Sequence, residues 1–218
     1  MIGLGLDLWR CQQRQLITVI SSQNGFRFGL RSSSSSSKKK AEAVPVSWAK
    51  PEMGWAKLNF DGSSKGAAGN NKASIGGVIR NHKAEFLMGY AESIGEANSN
   101  IAELVALRRG LELVLEYGLW SHVWLEGDAK TLLDIIVEKR QVKCVDVQMH
   151  VAHINSIIPK LSSCIVSHIY REGNRAADKL ARMGHYLDKP QVWCFDPPHE
   201  VVPLLFHDAE GKIVFRKR

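Results

Sequence analysis

The first regular pattern of the chain is an alternation of apolar and polar residues over 55–61, the period of a half-buried strand. Similar short runs over 74–80 and 85–91 predict two more strands. The residues between the first two, 62–71, are rich in glycine, serine and asparagine and indicate a turn-rich connection. Because the links are short, we expect these three strands to be antiparallel.

A long amphipathic helix is expected next, over residues 99–117. Leu104, Leu107 and Leu111 recur at the 3.6-residue period of a helix, and Gly118 is suited to its C-terminal end. The remaining elements alternate between strand and helix, which is typical of parallel crossovers. They are a strand at 122–126, helices at 129–139 and 145–161, a strand at 165–170, and a helix at 174–183 with Asn174 as its N-cap.

This order of elements predicts an α/β fold in which helices flank a mixed five-stranded sheet. The chain has 218 residues, enough for one domain of about 150 residues plus tails. We therefore expect a leader over residues 1–44, a domain over 55–184 and a C-terminal extension over 185–218. Residues 212–216 of the extension could add an edge strand to the sheet.

Charge is concentrated outside the predicted domain. The chain is 44% hydrophobic with a net charge of +7, but residues 1–41 hold seven basic residues against one acidic residue. The other 177 residues carry 22 basic and 21 acidic groups, so the body is close to neutral. Net charge alone therefore does not identify a nucleic-acid-binding protein. No apolar run is long enough to predict a membrane span.

The leader combines a serine tract at residues 32–37, a lysine triplet and scattered arginines, a composition that resembles an organelle transit peptide. A disordered tail or a linker remnant is the alternative. The four widely spaced cysteines are more typical of free thiols in an intracellular protein than of disulfides. We expect a mitochondrial or chloroplast location if the leader acts as a transit peptide, and a nuclear or cytoplasmic one otherwise.

Four acidic residues lie where predicted elements begin or end: Asp61, Glu103, Asp128 and Asp178. Each has an ordinary interpretation alone. Asp61 could be a turn residue, Asp128 an N-cap, and Glu103 and Asp178 could sit in the first turn of a helix and complement its dipole. Gathered carboxylates repel one another, and a divalent cation removes that penalty. If the four converge, they predict a metal site.

The segments around these acids carry a family resemblance. The sequences LNFDGSSKG, IGGVIR, NSNIAELVALRRGLELVLEYG, VWLEGDAKTLL and HIYREGNRAADKLARMG resemble, in order, the plant branch of the ribonuclease H-like domain, which is related to the ribonuclease H module of retroelement polyproteins. The tail sequence DPPHEVVPLLFHDAEGK looks like the short extension that these plant proteins often have. The resemblance covers residues 55–184 and implies a ribonuclease H-like fold.

The resemblance also implies an active site and a reaction. Asp61 would bridge two Mg²⁺ ions, Asp128 and Asp178 would each bind one, and Glu103 would bind a metal near a ribose 2′-hydroxyl. Mn²⁺ could replace Mg²⁺. The implied reaction is endonucleolytic hydrolysis of the RNA strand of an RNA–DNA hybrid, by a monomer.

Substrate contacts are implied as well. They would come from the backbone at Gly62 and Ser63 and from the side chains of Asn100 and Lys130, although Asn100 could instead cap its helix.

The chain departs from its relatives in ways that predict modest activity. The segment from Tyr170 to Asn174 leads almost directly into the last predicted helix, with no loop histidine to assist proton transfer and product release. A basic helical handle is reduced to Lys139, Arg140 and Lys143. Two alternatives stay open: a non-catalytic nucleic-acid-binding module derived from a retroelement, and a protein-interaction or unselected fragment of a polyprotein.

Overall fold

The computed structural model describes residues 17–20, 43–66, 71–118 and 120–216. The predicted leader thus lies outside the described residues, apart from 17–20 and 43–44. The elements in chain order are β1 (Ile17–Ile20), β2 (Val44–Val46), β3 (Ala56–Lys65), β4 (Lys72–Arg80), β5 (Phe86–Glu96), α1 (Ser99–Tyr117), β6 (His122–Gly127), α2 (Lys130–Glu138), α3 (Val145–Ile157), β7 (Ser163–His168), α4 (Arg175–Gly184), β8 (Gln191–Cys194), α5 (Val202–Ala209) and β9 (Val214–Arg216).

The main sheet is mixed, as predicted, with strand order β1-β7-β6-β3-β4-β5-β8. Strands β3, β4, β5 and β8 pair antiparallel, whereas β6 pairs parallel with both β3 and β7. The expected five strands form the centre, but the described part of the sheet has seven, so the predicted number is wrong. The additional edge strands β1 and β8 are four residues long. Such short strands show too few alternations to be recognised from sequence.

Strand β3 is longer than its sequence pattern suggests. The prediction ended it at Asp61, but it continues to Lys65, and Lys65 pairs with Lys72 of β4. Asp61 therefore lies within the strand rather than at its end. The error arose because a glycine followed by two serines reads as a turn, while here these residues pair with β4 across an antiparallel ladder.

Helix α1 has the predicted bounds. The side chain of Asn98 caps its start by accepting a hydrogen bond from the Ile101 N–H (3.0 Å), and Gly118 ends it in the left-handed conformation, with φ of 61°. Glu103 is the fifth residue of this helix, so the expectation that it lies in the first turn is wrong. The apolar face of α1 packs on β3, opposite residues such as Leu58.

Helix α4 packs against the opposite face of the sheet at very short range. A Cβ added at Gly76 of β4 would lie 2.2 Å from the backbone nitrogen of Ala181, so only glycine allows this approach. Asn174 occupies the N-cap position as predicted, but its side chain does not cap the helix. It donates instead to the carbonyl oxygen of Phe60 (2.9 Å), which ties the start of α4 to β3.

The C-terminal extension packs onto the domain. Val201 and Leu205 are buried with Val78 of the sheet and Leu180 of α4. The strand expected at residues 212–216 forms as β9. It pairs with β2 in a separate two-stranded sheet and does not join the main one, which corrects the prediction. No helix in the described ranges has the length and apolarity that a membrane crossing requires.

A cluster of buried polar side chains links the sheet to this extension. We call it the buried ionic cluster: Lys57, Asn59, Arg80, Glu126 and Asp208. The ammonium of Lys57 lies 2.8 Å from Glu126, and the guanidinium of Arg80 lies 2.7 Å from Asp208 of α5. Asn59 donates to Glu126 (2.9 Å) and accepts from Arg80 (2.9 Å). Removing one partner of such a pair leaves a buried charge unpaired, which is strongly destabilising.

Candidate metal centre and substrate cleft

Three of the four predicted carboxylates meet in the structure. Asp61 comes from the middle of β3, Asp128 follows the end of the neighbouring parallel strand β6, and Glu103 comes from α1 above them. One carboxylate oxygen from each of these residues lies within 4.8 Å of the others. The sequence order of strand, helix and strand therefore does bring these acids to one place.

Gly62 is what allows helix α1 to bring Glu103 this close. A Cβ at Gly62 would stand 2.3 Å from the backbone nitrogen of Glu103 and 2.4 Å from the carbonyl carbon of Ala102. Both atoms are backbone, so a side chain here could be accommodated only by moving the helix. Gly62 thus sets the distance between β3 and the acidic residue on α1.

Burial raises the pKa values of all three carboxyl groups, so they are weaker acids than usual. Asp61 is only 1% exposed, and burial, followed by the charges of Asp128 and Asp178, raises its pKa to about 8. Burial and then the charges of Asp61 and Asp128 raise the pKa of Glu103 well above its usual value. Burial also raises the pKa of Asp128, although the nearby Arg171 guanidinium opposes this. In the metal-free protein, Asp61 with its pKa of about 8 is therefore largely protonated at neutral pH.

The oxygens of this cluster also lack protein donors. Both carboxylate oxygens of Asp61 and Oε2 of Glu103 are buried and receive no hydrogen bond from an N–H group or a hydroxyl among the described residues. A hydrogen bond between the Asp61 and Glu103 carboxyl groups requires that one of them hold a proton. Such groups are costly unless something compensates them. A divalent cation with oxygen ligands supplies that compensation, so the donor set fits Mg²⁺ or Mn²⁺ chemistry.

Asp178 lies close to the other three acids but outside their immediate group. It is in the first turn of α4, and its Oδ2 is 2.9 Å from Nε of Arg182, one helical turn further on. Its charge nonetheless contributes to the raised pKa values of Asp61 and Asp128, so the residue is within electrostatic reach of the cluster. The structure thus brings together three predicted residues and leaves the fourth beside them.

A cleft of about 390 Å³ opens beside the cluster. Among the predicted substrate-binding residues, Asn100 lines it together with Glu103 and Asp128. The cap of α1 is Asn98, which removes the alternative that Asn100 is the capping residue. Lys130 is not part of the lining and pairs with Asp134 of its own helix at 3.7 Å.

The other two predicted contacts occupy different environments. Gly62 is buried beneath α1, whereas Ser63 is partly exposed and its Oγ lies 3.0 Å from Nε2 of His185.

Sequence reasoning missed several residues of the cleft. Arg171 lies 3.6 Å from Asp128, Tyr170 forms part of the wall, and Arg216 enters from β9 of the extension. A signal for Arg171 was present in the sequence, since this residue directly follows the strand predicted at 165–170. Arg216 gave no signal because its position depends on the pairing of β9 with β2, 170 residues earlier in the sequence. His168, the last residue of β7, also lines the cleft.

Comparison with known proteins agrees with this geometry. Residues 59–184 match the family model described as reverse transcriptase-like. A protein of Arabidopsis thaliana named "Putative ribonuclease H protein At1g65750" is 31% identical over 137 residues. That alignment covers 62% of this chain and 21% of the relative, so the chain spans about a fifth of that protein's length.

Solved structures of similar fold include ribonucleases H. The RNase H1 of the archaeon Halobacterium salinarum is 22% identical with a TM-score of 0.56, over 61% of this chain and 98% of that one. LC11-RNase H1, isolated from compost by a metagenomic approach and solved with an RNA/DNA hybrid, is 29% identical with a TM-score of 0.53, over 59% and 94%. The chain therefore has the ribonuclease H-like fold and belongs to the reverse transcriptase-like family.

Proposed function

We propose that this protein is a divalent-metal-dependent endonuclease that hydrolyses the RNA strand of RNA–DNA hybrids. The observation that carries the proposal is the convergence of Asp61, Glu103 and Asp128, in which the buried oxygens of Asp61 and Oε2 of Glu103 receive no hydrogen bond from an N–H group or a hydroxyl among the described residues. A fold kept only for binding would have little reason to retain such a costly group of mutually repelling acids. The ribonuclease H-like fold, which the chain shares with solved ribonucleases H, also supports the proposal.

The carboxylates would hold two Mg²⁺ ions, with Mn²⁺ as a substitute. Asp61, which is the least exposed of the three clustered residues, would supply carboxylate ligands together with Glu103, Asp128 and Asp178. When bound, such ions lower the pKa of a water molecule and stabilise negative charge on a phosphate that is being cleaved. The chain's own contribution is to fix the carboxylates on two strands and two helices, so that little reorganisation is needed.

Asp178 can join this set at low cost. Its present partner Arg182 is 56% exposed, and exposed ion pairs within a helix contribute only about 0.5 kcal/mol. The attraction of a divalent ion for a carboxylate is larger than this, so the side chain would turn from Arg182 toward the cluster. Arg171, 70% exposed, is similarly a weak competitor for Asp128.

The choice of an RNA–DNA hybrid is supported by the solved relative LC11-RNase H1, at 29% identity, which was crystallised with one. In this chain Asn100 lines the cleft beside Glu103, where a polar side chain could contact a ribose 2′-hydroxyl. The backbone at Gly62 and Ser63 would contact the hybrid. Lys130 is exposed at the start of α2 and would contact the phosphate backbone.

The direct test incubates the full-length protein with a hybrid labelled on its RNA strand, with Mg²⁺, Mn²⁺ or EDTA. We expect metal-dependent cutting of the RNA strand in the hybrid and no cutting of the DNA strand. Asp61→Asn should abolish cutting, while Asp188→Asn, an exposed aspartate between α4 and β8, should leave it unchanged.

Two outcomes would contradict the proposal. Cutting that continues in EDTA, or that survives Asp61→Asn, would mean that the carboxylate cluster is not the active site. A hybrid that is bound but never cut with either metal would instead support the non-catalytic binding module.

A further inference from the structure

Arg216 reaches the substrate cleft from outside the family-matched region. It is the last residue of β9, yet it lines the cleft together with Asn100, Glu103 and Asp128. The family match ends at residue 184, so this arginine belongs to the C-terminal extension. The C-terminal extension therefore places a basic side chain in a cleft that is also lined by acidic residues of the candidate site.

Two contacts hold Arg216 in position. Its backbone pairs with Val44 of β2 in the small two-stranded sheet. Its guanidinium lies 4.4 Å from the ring centroid of Tyr170, a distance at which a cation is attracted to an aromatic face. The Tyr170 ring in turn packs edge-on against His168, with ring centroids 5.3 Å apart. The guanidinium is therefore oriented before any ligand binds.

Arg216 also differs from the other cations near the site in its lack of an acidic partner. Arg171 pairs with Asp128, Lys130 with Asp134 and Arg182 with Asp178. No described carboxylate lies within ion-pair distance of Arg216, although Glu172 lines the same cleft. Stacking on an aromatic ring leaves the N–H groups at the edge of a guanidinium available for hydrogen bonds.

We propose that Arg216 binds a phosphodiester group of the nucleic-acid substrate next to the carboxylate cluster. This inference rests on the proposed function. A guanidinium presents paired N–H donors that match two phosphate oxygens, and its charge offsets the repulsion between the acidic cluster and an anionic backbone. The extension would thereby supply a phosphate contact in a chain whose own basic handle is reduced to a few residues.

The test compares Arg216→Ala with Lys189→Ala in the full-length protein. Lys189 is an exposed cation of the same extension, next to β8 at the far edge of the main sheet, so it controls for loss of one positive charge. Affinity for a short labelled hybrid is measured by fluorescence anisotropy in EDTA over a series of salt concentrations. Steady-state cleavage in Mg²⁺ then separates KM from kcat.

Arg216→Ala should raise Kd and KM about five- to tenfold and reduce the slope of log K against log salt by about one, with kcat changed less than about twofold. Lys189→Ala should leave all of these near wild type. Arg216→Lys should retain the salt slope and recover part of the affinity, because it keeps the charge and loses the planar stacking. A merely structural role of Arg216 would lower the thermal midpoint without changing the salt slope.

The outcomes separate this inference from the proposed function. If the wild type cuts the hybrid and Arg216→Ala behaves like Lys189→Ala, the phosphate contact is overturned and the nuclease proposal stands. If the hybrid is bound but not cut, and binding still depends on Arg216, the contact is supported without catalysis. If the wild type binds no hybrid, both proposals are overturned.

Discussion

Asp61→Asn should make the metal-free protein more stable at alkaline pH, even though it removes a proposed metal ligand. Asp61 is buried, its ionised oxygens receive no hydrogen bond from an N–H group or a hydroxyl among the described residues, and its pKa is raised from 3.8 to about 8. The folded protein therefore holds a proton on this carboxyl group that the unfolded chain has already released at neutral pH. Ionising Asp61 in the folded state is unfavourable, and asparagine never ionises.

The magnitude follows from the linkage between proton binding and folding. A group with a raised pKa contributes stability that is fully present below its unfolded pKa and is lost as pH rises through the folded pKa. Here that window runs from 3.8 to about 8. Within it the free energy of unfolding falls by about 1.4 kcal/mol per pH unit. Between about pH 5 and pH 8 the wild type would lose at most about 4 kcal/mol through this group.

The expected difference is smaller than this limit, because Glu103 and Asp128 titrate together with Asp61 and share the proton. We expect Asp61→Asn to remove about 2–3 kcal/mol of the pH dependence. For a chain of this size that corresponds to roughly 4–12 °C in the thermal midpoint at the alkaline end of the range.

The assay is thermal or urea unfolding in EDTA across this pH range, with Asp188→Asn as the exposed control. The wild type and the control should lose stability together as pH rises, and Asp61→Asn should lose much less. Adding Mg²⁺ at about pH 8 should raise the midpoint of the wild type and leave that of Asp61→Asn nearly unchanged. Parallel pH profiles for the wild type and Asp61→Asn would refute the assignment of Asp61 as a buried, protonated member of the cluster.

Three other outcomes are expected. Asp208→Asn should lower the free energy of unfolding by about 3–5 kcal/mol in urea titrations, because it leaves Arg80 buried and without its ion-pair partner. The control Asp188→Asn should change the free energy of unfolding by less than about 0.5 kcal/mol. Gly62→Ala should lower the free energy of unfolding by about 1–3 kcal/mol and weaken Mg²⁺ binding in calorimetry, because the added Cβ would force α1 and Glu103 away from β3. An unchanged Mg²⁺ affinity would contradict this expectation. The rate of hydrolysis at limiting Mg²⁺ should rise with pH and level off near the pKa of about 8; a flat profile would mean that cluster protonation does not limit metal binding.

The sequence predicted those parts of the fold that depend on local patterns. Helix α1 has its expected bounds because its leucine period is regular and both ends carry strong signals, a capping Asn98 and a left-handed Gly118. Strand β3 was cut short because its second half is glycine and serine, which form a strand here only through pairing with β4. Pairing with the next strand does not show in the apolar–polar alternation of β3 itself, so a local window misses it.

The candidate site was likewise predictable only in those parts that depend on local sequence patterns. Asp61, Glu103 and Asp128 were predictable because each lies in or directly after a recognisable strand or helix, and the packing of these elements brings them together. The orientation of Asp178 toward Arg182 was not, since a rotamer depends on neighbours one helical turn away. Arg216 was also beyond reach, because its place in the cleft requires the tail to fold back onto β2.

The ion pair between Arg80 and Asp208 has a consequence for how the protein is made. The two residues are 128 positions apart, and both side chains are largely shielded from water. At typical synthesis rates, about 6–25 seconds separate their appearance on the ribosome. During that interval the sheet residue Arg80 lacks its ion-pair partner and retains only neutral contacts such as Asn59, so the central sheet cannot close with its final stability. Completion of the fold therefore waits until α5 has left the ribosome tunnel, after all four acidic residues of the candidate site have been synthesised.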